Sequence, residues 1–276
     1  MSFTWHRGGL SIQGSSAAGD RSWFRIHPPG LAFDVGRGAP ELAGSGDIFL
    51  THGHLDHALG LPYVLSQHSV HEQAPTRIFC PAEVAADVRE FLAASARLER
   101  VEYRYDLRGL VAGERVPVSA DLAVEPFAVD HVVPALGYHL IRRRRRLLAA
   151  LAGTPAPELA RRRRENEPVD EPYDQLWLSY CGDTSAAVFE LEPRVFASQT
   201  LLLECTFMDP KKRPSAGRYK HIHVEDLLAV GDRFANEAIL LCHLSRRHRA
   251  SELRHWIAAH LPALAERVTV LSDEPE

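Results

Sequence analysis

Apolar residues along this 276-residue chain gather in short runs separated by glycine, proline and polar clusters, a rhythm of strands interrupted by a few longer helical stripes. Gly8 to Gly14 reads as a strand, and the small residues Ser15 to Gly19 as a flexible turn after it. Ser22 to Ile26 and Leu31 to Gly36 are two further strands, joined by His27-Pro28-Pro29-Gly30, which has the composition of a hairpin connection. Asp47-Ile48-Phe49-Leu50 reads as a buried strand, and Ala58 to Pro62 as the opening of a helix. Between Pro81 and Arg100, the residues Val84, Val88, Phe91, Leu92 and Leu98 form the stripe of a helix that begins after a proline. Strands are expected at Val101 to Arg104, Leu122 to Val129 and Leu136 to Ile141, and then the composition turns strongly basic. Three apolar strands follow at Leu176 to Tyr180, Thr200 to Leu203 and Ala238 to Cys242. Helices are expected at Val224 to Ala235 and Ser251 to Arg267, with a last strand at Val268 to Leu271. No repeat and no linker stands out, so residues 1–276 are expected to form a single domain.

The ends of these strands carry the chemistry. The turn after Asp47 to Leu50 reads Thr51-His52-Gly53-His54-Leu55-Asp56-His57, with four metal-ligand side chains inside six residues. Imidazole and carboxylate suit a borderline divalent ion such as zinc; His52 and His54 can converge on one ion while Asp56 and His57 turn toward a second. His131 follows the strand ending at Val129, Asp183 follows Leu176 to Tyr180, and His243 follows Ala238 to Cys242. These seven ligands, one carboxylate being shared, can hold two ions about 3.5 to 4 Å apart, an arrangement suited to activating water for hydrolysis. Asp34, at the end of its own apolar run, either accepts a hydrogen bond from a ligand histidine or caps a turn.

Composition narrows the setting. Charged residues at 25% and apolar residues at 45% describe an ordinary soluble globular protein. Neither a membrane span nor a secretory leader is visible, the start Met1 to Arg7 lacking an apolar segment, so a cytoplasmic protein is expected. The four cysteines, Cys80, Cys181, Cys205 and Cys242, form no Cys-x-x-Cys pair and read as small buried side chains. A net charge of −4 argues against nonspecific coating of nucleic acid. It hides two arginine runs, Arg142 to Arg146 and Arg161 to Arg164, which mark a basic insertion or arm at about 142–172. The runs are either a solvated surface or an electrostatic track for phosphates.

The order His52-x-His54-x-Asp56-His57, then His131, Asp183 and His243, resembles the metallo-β-lactamase superfamily over nearly the whole chain. The resemblance implies an α/β (α+β) fold, an αββα sandwich of two mixed sheets with helices outside. It implies two Zn2+ ions, with Mn2+ or Fe2+ as alternatives: His52, His54 and His131 on the first, Asp56, His57 and His243 on the second, and Asp183 bridging. Three segments are similar to the ribonuclease Z (tRNase Z) branch. His131 to Tyr138 has a third histidine followed by a small-Gly-Tyr sequence; Glu204-Cys205-Thr206-Phe207 resembles Glu-Ala-Thr-Phe; His243-Leu244-Ser245-Arg246-Arg247-His248 resembles His-Phe-Ser-x-Arg-Tyr. His221 falls at the histidine of that family's His-Ser-Thr motif, which a glutamate, here Glu204, holds near the scissile phosphate. The motif reads His221-Ile222-His223 in this chain, so His223 is a rival. Asp56 resembles the aspartate that accepts a proton from the attacking water.

The implied activity is that of a zinc-dependent phosphodiesterase or endoribonuclease, with the 3′ trailer of precursor tRNA as the leading substrate and a homodimer as the working form. Lys211, Lys212, Arg213, Arg218 and Lys220 are read as a loop that meets the RNA backbone. The Gly-Pro-rich arm of the family is missing between His131 and Asp183, where the arginine runs stand instead. Another phosphodiester, a thioester or lactone, and a noncatalytic RNA-binding role are the alternatives.

Overall fold

The computed structural model describes residues 2–70 and 74–272. Seven strands build a first sheet in chain order: β1 (Phe3–Arg7), β2 (Leu10–Ala17), β3 (Arg21–His27), β4 (Leu31–Phe33), β5 (Asp47–Phe49), β6 (Thr76–Pro81) and β7 (Tyr105–Leu110). Seven more build a second: β8 (Val116–Pro117), β9 (Leu122–Ala128), β10 (Leu136–Leu147), β11 (Asp170–Tyr180), β12 (Thr200–Glu204), β13 (Ala238–Cys242) and β14 (Val268–Val270). Each sheet runs through three antiparallel pairings and then three parallel ones, so the second repeats the topology of the first. No sequence repeat announces this, because a strand's place in a sheet demands only its pattern of burial and not particular residues.

That pattern explains the elements. In β2 and β3 the alternation of Leu10 and Ile12, and of Phe24 and Ile26, points one face inward. The parallel strands β12 and β13 are covered on both faces and accordingly read as unbroken apolar runs. Phe24, Phe33, Phe49, Tyr138, Trp177 and Tyr180 fill the space between the sheets, with Phe33 and Tyr138 stacked at 5.7 Å between ring centroids. Tyr138 also donates its hydroxyl to the Leu50 carbonyl at 2.6 Å, tying β10 to the strand end that precedes the ligand turn. Truncating such a ring would cost about 3–5 kcal/mol in lost burial and cavity. A second apolar cluster lies outside the first sheet, containing Val64 and Leu65 of the helix Leu61–Val70 and Val88 and Leu92 of Ala85–Glu99. A third lies outside the second sheet, with Leu227 of Val224–Val230 and Leu253 and Ile257 of Ala250–His260. The result is the αββα sandwich of two mixed sheets. Among the described residues no helix is long and apolar enough to cross a membrane.

Several boundaries differ from the sequence reading. The expected strand Val101 to Arg104 is a connector. The helix Ala85–Glu99 ends in a left-handed Arg100, residues 101–104 carry Tyr103 into the outer core, and pairing with β6 begins at Tyr105. Residues 15–17 continue β2, leaving the turn to residues 18–20. The C-terminal helix is broken between His260 and Pro262, where the proline ring cannot continue the hydrogen-bond ladder. The helix after β12 stops at Val230 and tightens into a 3-10 turn, Gly231–Arg233.

The first arginine run belongs to β10, which outgrows its pairing with β9 and continues against β11 as a two-stranded hairpin. The helix Ala156–Arg164 sits at its tip. Many of these arginines already have carboxylate partners: Arg146 with Glu171 at 2.8 Å, Arg161 and Arg162 with Glu158 at 2.8 and 2.9 Å, and Arg163 with Asp170 at 3.0 Å.

Candidate metal centre

The ends of β5, β9, β11 and β13 meet at one edge of the sandwich. The turn after β5 brings His52, His54, Asp56 and His57; residues following β9, β11 and β13 bring His131, Asp183 and His243. The donor atoms of His52, His54, His131 and Asp183 all lie within 4.8 Å of one another, and so do those of Asp56, His57 and His243. Asp183 links the groups, its two oxygens 3.4 Å from His57 Nε2 and His243 Nε2 and 3.8 Å from His52 Nε2.

Four of the five histidine rings are held from outside by a hydrogen-bond partner on Nδ1. Asp34 is fully buried and accepts His57 Nδ1–H at 2.8 Å, together with the Thr51 amide and the Tyr180 hydroxyl. Of its two expected roles, Asp34 thus takes that of partner to a ligand histidine. Thr51 donates its hydroxyl to Asp34 and accepts His52 Nδ1–H at 2.9 Å. Thr206 does the same on the other side, donating to Glu204 at 2.6 Å and accepting His243 Nδ1–H at 2.9 Å. His131 Nδ1 faces the Lys220 carbonyl at 3.3 Å. With Nδ1 protonated in all four rings, the Nε2 lone pairs point into the centre, which is the way an outer partner fixes the tautomer of a ligand histidine. His54 instead presents Nδ1, 3.3 Å from His131 Nε2. Asp34 and His243 both hold left-handed backbone, φ 53° and 55°, conformations kept here by the surrounding bonds.

The donors fit a divalent cation. His52 Nε2 is buried without a protein partner, an arrangement that is costly unless something else fills it. Neighbouring donors of a tetrahedron with bonds of about 2.0–2.1 Å lie about 3.4 Å apart, and the 3.3 and 3.4 Å separations above fall at that edge. Burial alone would raise the carboxyl of Asp56, but its hydrogen bond to His243 and the charge of His57 bring it down to about 2. Burial likewise opposes ionisation of Asp183, and His243, His57 and His52 overcome it. Both carboxylates are therefore ionised, as ligands must be. The Gly19 amide donates to Asp56 Oδ2 at 2.9 Å and fixes that carboxylate from the turn between β2 and β3.

Residues 35–166 match the β-lactamase superfamily domain. The tRNase Z TRZ1 of Arabidopsis thaliana is 28% identical over 96% of this chain and 95% of its own length. The ribonuclease Z of Shouchella clausii is 28% identical over 80% of the chain and 77% of its own. Among solved structures, the short form of human tRNase Z superposes with a TM-score of 0.64 at 18% identity, covering 96% of each chain.

The chain resembles the β-lactamase superfamily in sequence and in fold.

As a metal-dependent hydrolase, it carries further groups beside the candidate ligands. A cavity of about 360 Å³ opens on His54, Asp56, Asp183, His221, His243 and Arg247. Glu204 is fully buried beneath it and accepts His221 Nδ1–H at 2.8 Å, the Thr184 amide at 2.8 Å and the Thr206 hydroxyl. Burial would lower the His221 ring, but the Glu204 carboxylate reverses this and raises it to about 9. The His221 ring stacks on His243 at 5.4 Å and meets His131 edge-on at 5.2 Å. His223 sits elsewhere: it caps the helix Val224–Val230, and its Nε2 meets the Asp209 carbonyl at 3.1 Å. His221 alone of the two lines the cavity.

The segment of Lys211, Lys212, Arg213, Arg218 and Lys220 is not a loop but a 3-10 turn, Pro210–Lys212, and the helix Arg213–Tyr219. Lys220 pairs with Asp130 at 2.7 Å and Arg213 with Asp226 at 2.5 Å. Sequence reasoning missed the hydroxyls of Thr51 and Thr206 and the Gly19 amide. Thr51 adjoins His52 in the chain and was open to notice; Gly19 has no such signal.

Divalent cations held by these ligands would neutralise charge on a phosphoryl or carbonyl oxygen and make water more acidic. The chain itself offers Asp56 to accept a proton beside them and His221, with Glu204 behind it, to supply one.

Proposed function

We propose that this protein is a dinuclear zinc phosphodiesterase of the ribonuclease Z type, an endoribonuclease that removes the 3′ trailer from precursor tRNA. The observation that carries this reading is the Glu204–His221 pair at 2.8 Å on the rim of the ligand cavity. An RNA leaving oxygen is a poor leaving group until it is protonated, and a histidine kept cationic by a buried carboxylate is suited to donate that proton. Asp56, fixed by Gly19, takes the proton from the attacking water. Two ligand groups, Asp183 belonging to one and lying 3.4 Å from His57 and His243 of the other, support two ions, and an all nitrogen and oxygen set supports zinc, with Mn2+ or Fe2+ as alternatives. Relatives named tRNase Z and ribonuclease Z, similar over most of the chain, support RNA as the substrate.

In this reading residues 1–276 act as one domain, with the hairpin at about 142–172 as its arm. The working form is a homodimer, for which the exposed Leu55, Leu59 and Tyr63, in and just after the ligand turn, offer apolar surface.

Incubating the zinc-loaded protein with precursor tRNA and mapping the ends tests the proposal. Cleavage after the discriminator base is expected. Intact RNA beside turnover of a chromogenic phosphodiester would replace tRNA by another phosphodiester, and activity confined to thioesters or lactones would overturn phosphodiester chemistry altogether.

A further inference from the structure

The cavity over the ligands does not end at them. Through Ser245 it adjoins a second, of about 250 Å³, lined by Arg246 and His248. Through Ala250, Leu271 and Ser272 the second adjoins a third, of about 650 Å³, lined by Arg249, Ser251 and Trp5. The three trace one cleft. It starts at the ligands, passes the turn between β2 and β3, and reaches the gap where β1 and β14, the edge strands of the two sheets, come together.

The cleft is basic in a way that the arm is not. Arg246, Arg247 and Arg249 are exposed, and among the described residues no carboxylate pairs with their guanidinium groups. The acids nearby are engaged: Asp20 with Arg21 and with Arg37 at 3.1 Å, and Glu252 with His248 at 3.5 Å and the Arg249 amide at 3.2 Å. Guanidinium groups free of partners bind phosphate oxygens in bidentate fashion. Their placement on one short loop favours a single backbone over the two of a duplex, and Trp5 at the far end provides an aromatic face of the kind on which unpaired bases stack.

We propose that this cleft is the track for a single-stranded nucleic-acid segment adjoining the scissile phosphate, with Arg247, Arg246 and Arg249 engaging its backbone in turn. The proposal rests on the phosphodiester reading above and adds to it the path of the strand away from the metal centre. It also assigns affinity for unpaired RNA to the loop after β13 and not to the arm.

The test is binding of a fluorescein-labelled single-stranded phosphorothioate RNA to the zinc-loaded protein, read by anisotropy over a range of salt. For an RNA of about 12 nucleotides, Arg246→Glu with Arg249→Glu is expected to weaken binding about 10–100-fold and to flatten the salt dependence, with the double glutamine variant in between. Arg161→Glu with Arg163→Glu in the arm is expected to change it less than about threefold, since those arginines already have partners. Unchanged binding by both cleft variants, or an equal loss in the arm variant, would overturn the track. Binding is measured without turnover, so the two readings fail separately. A cleft-dependent RNA affinity in a protein that hydrolyses no phosphodiester would remove the proposed function and leave the track. Specific RNA cleavage with cleft variants that bind normally would remove the track alone.

Discussion

The two sheets share a topology but equip the centre in opposite ways. The first sheet supplies His52, His54, Asp56 and His57 from one turn after β5, whereas the second supplies His131, Asp183, Glu204 and His243 from four different strand ends. The first set is placed by local backbone. The second is placed by register: Leu178 beside Thr200 and Glu204 beside Cys242 align the carboxyl ends of three parallel strands, so their last residues face the same space. A local set is robust to distant change, while a distributed set depends on the packing of the whole sheet.

Asp183 is where the two sets touch, and its loss gives the largest expected effect. Asp183→Ala should lower kcat/KM by more than about 10³-fold and reduce bound metal to less than one ion per chain, measured by elemental analysis. Retention of two ions would mean that each sheet holds its metal unaided. His221→Ala comes next, with a loss of about 10²–10⁴-fold on RNA and a much smaller one on a nitrophenyl phosphodiester, whose leaving group needs no proton. Equal losses on both substrates would assign His221 to binding.

The hydroxyls that hold the histidines allow a direct contrast between the sheets. Thr51→Val and Thr206→Val should each weaken metal affinity about 10–100-fold in chelator competition. Thr206→Val should also reduce turnover at saturating metal, because Thr206, unlike Thr51, contacts Glu204. The smallest effect is expected in an ion pair of the connection between β11 and β12, Glu192 with Arg194, which packs against His139 of β10. Burial would raise Glu192, but Arg194 and His139 pull it down to about 2. The folded state therefore prefers the ionised acid, a preference that stabilises fully above the unfolded value of about 4.3 and is lost as pH falls toward the folded value. Glu192→Gln should be about 1–2 kcal/mol less stable at neutral pH in urea unfolding, with the difference gone near pH 2. A difference that persists in acid would mean a packing role.

The same contrast explains what could be read from the chain. The turn His52 to His57 was legible because its ligands are neighbours, and His131, Asp183 and His243 because each follows an apolar run. The assignment of fold and roles needed the family resemblance. The topological repeat was illegible, since it preserves burial and not residues. So was the pairing of the arm: Arg146 meets Glu171 across a hairpin, and no local pattern announces it. The strand expected at Val101 to Arg104 failed because helix termination at Arg100 displaced it by four residues. The cleft along Arg246 to Arg249 depends on β1 and β14 lying side by side, which only the closed sandwich determines.

The buried cysteines decide how this centre would age. Cys181, Cys205 and Cys242 lie within two residues of Asp183, Glu204 and His243, yet all are buried, and burial holds their thiols protonated, far above the ordinary value. A thiolate would draw soft metals such as copper(I) and would be the first casualty of peroxide. With sulfur turned into the cores, the centre is defined by nitrogen and oxygen alone. Thiol-directed alkylating reagents should find no cysteine to attack until the sandwich opens, which makes thiol labelling a clock for unfolding.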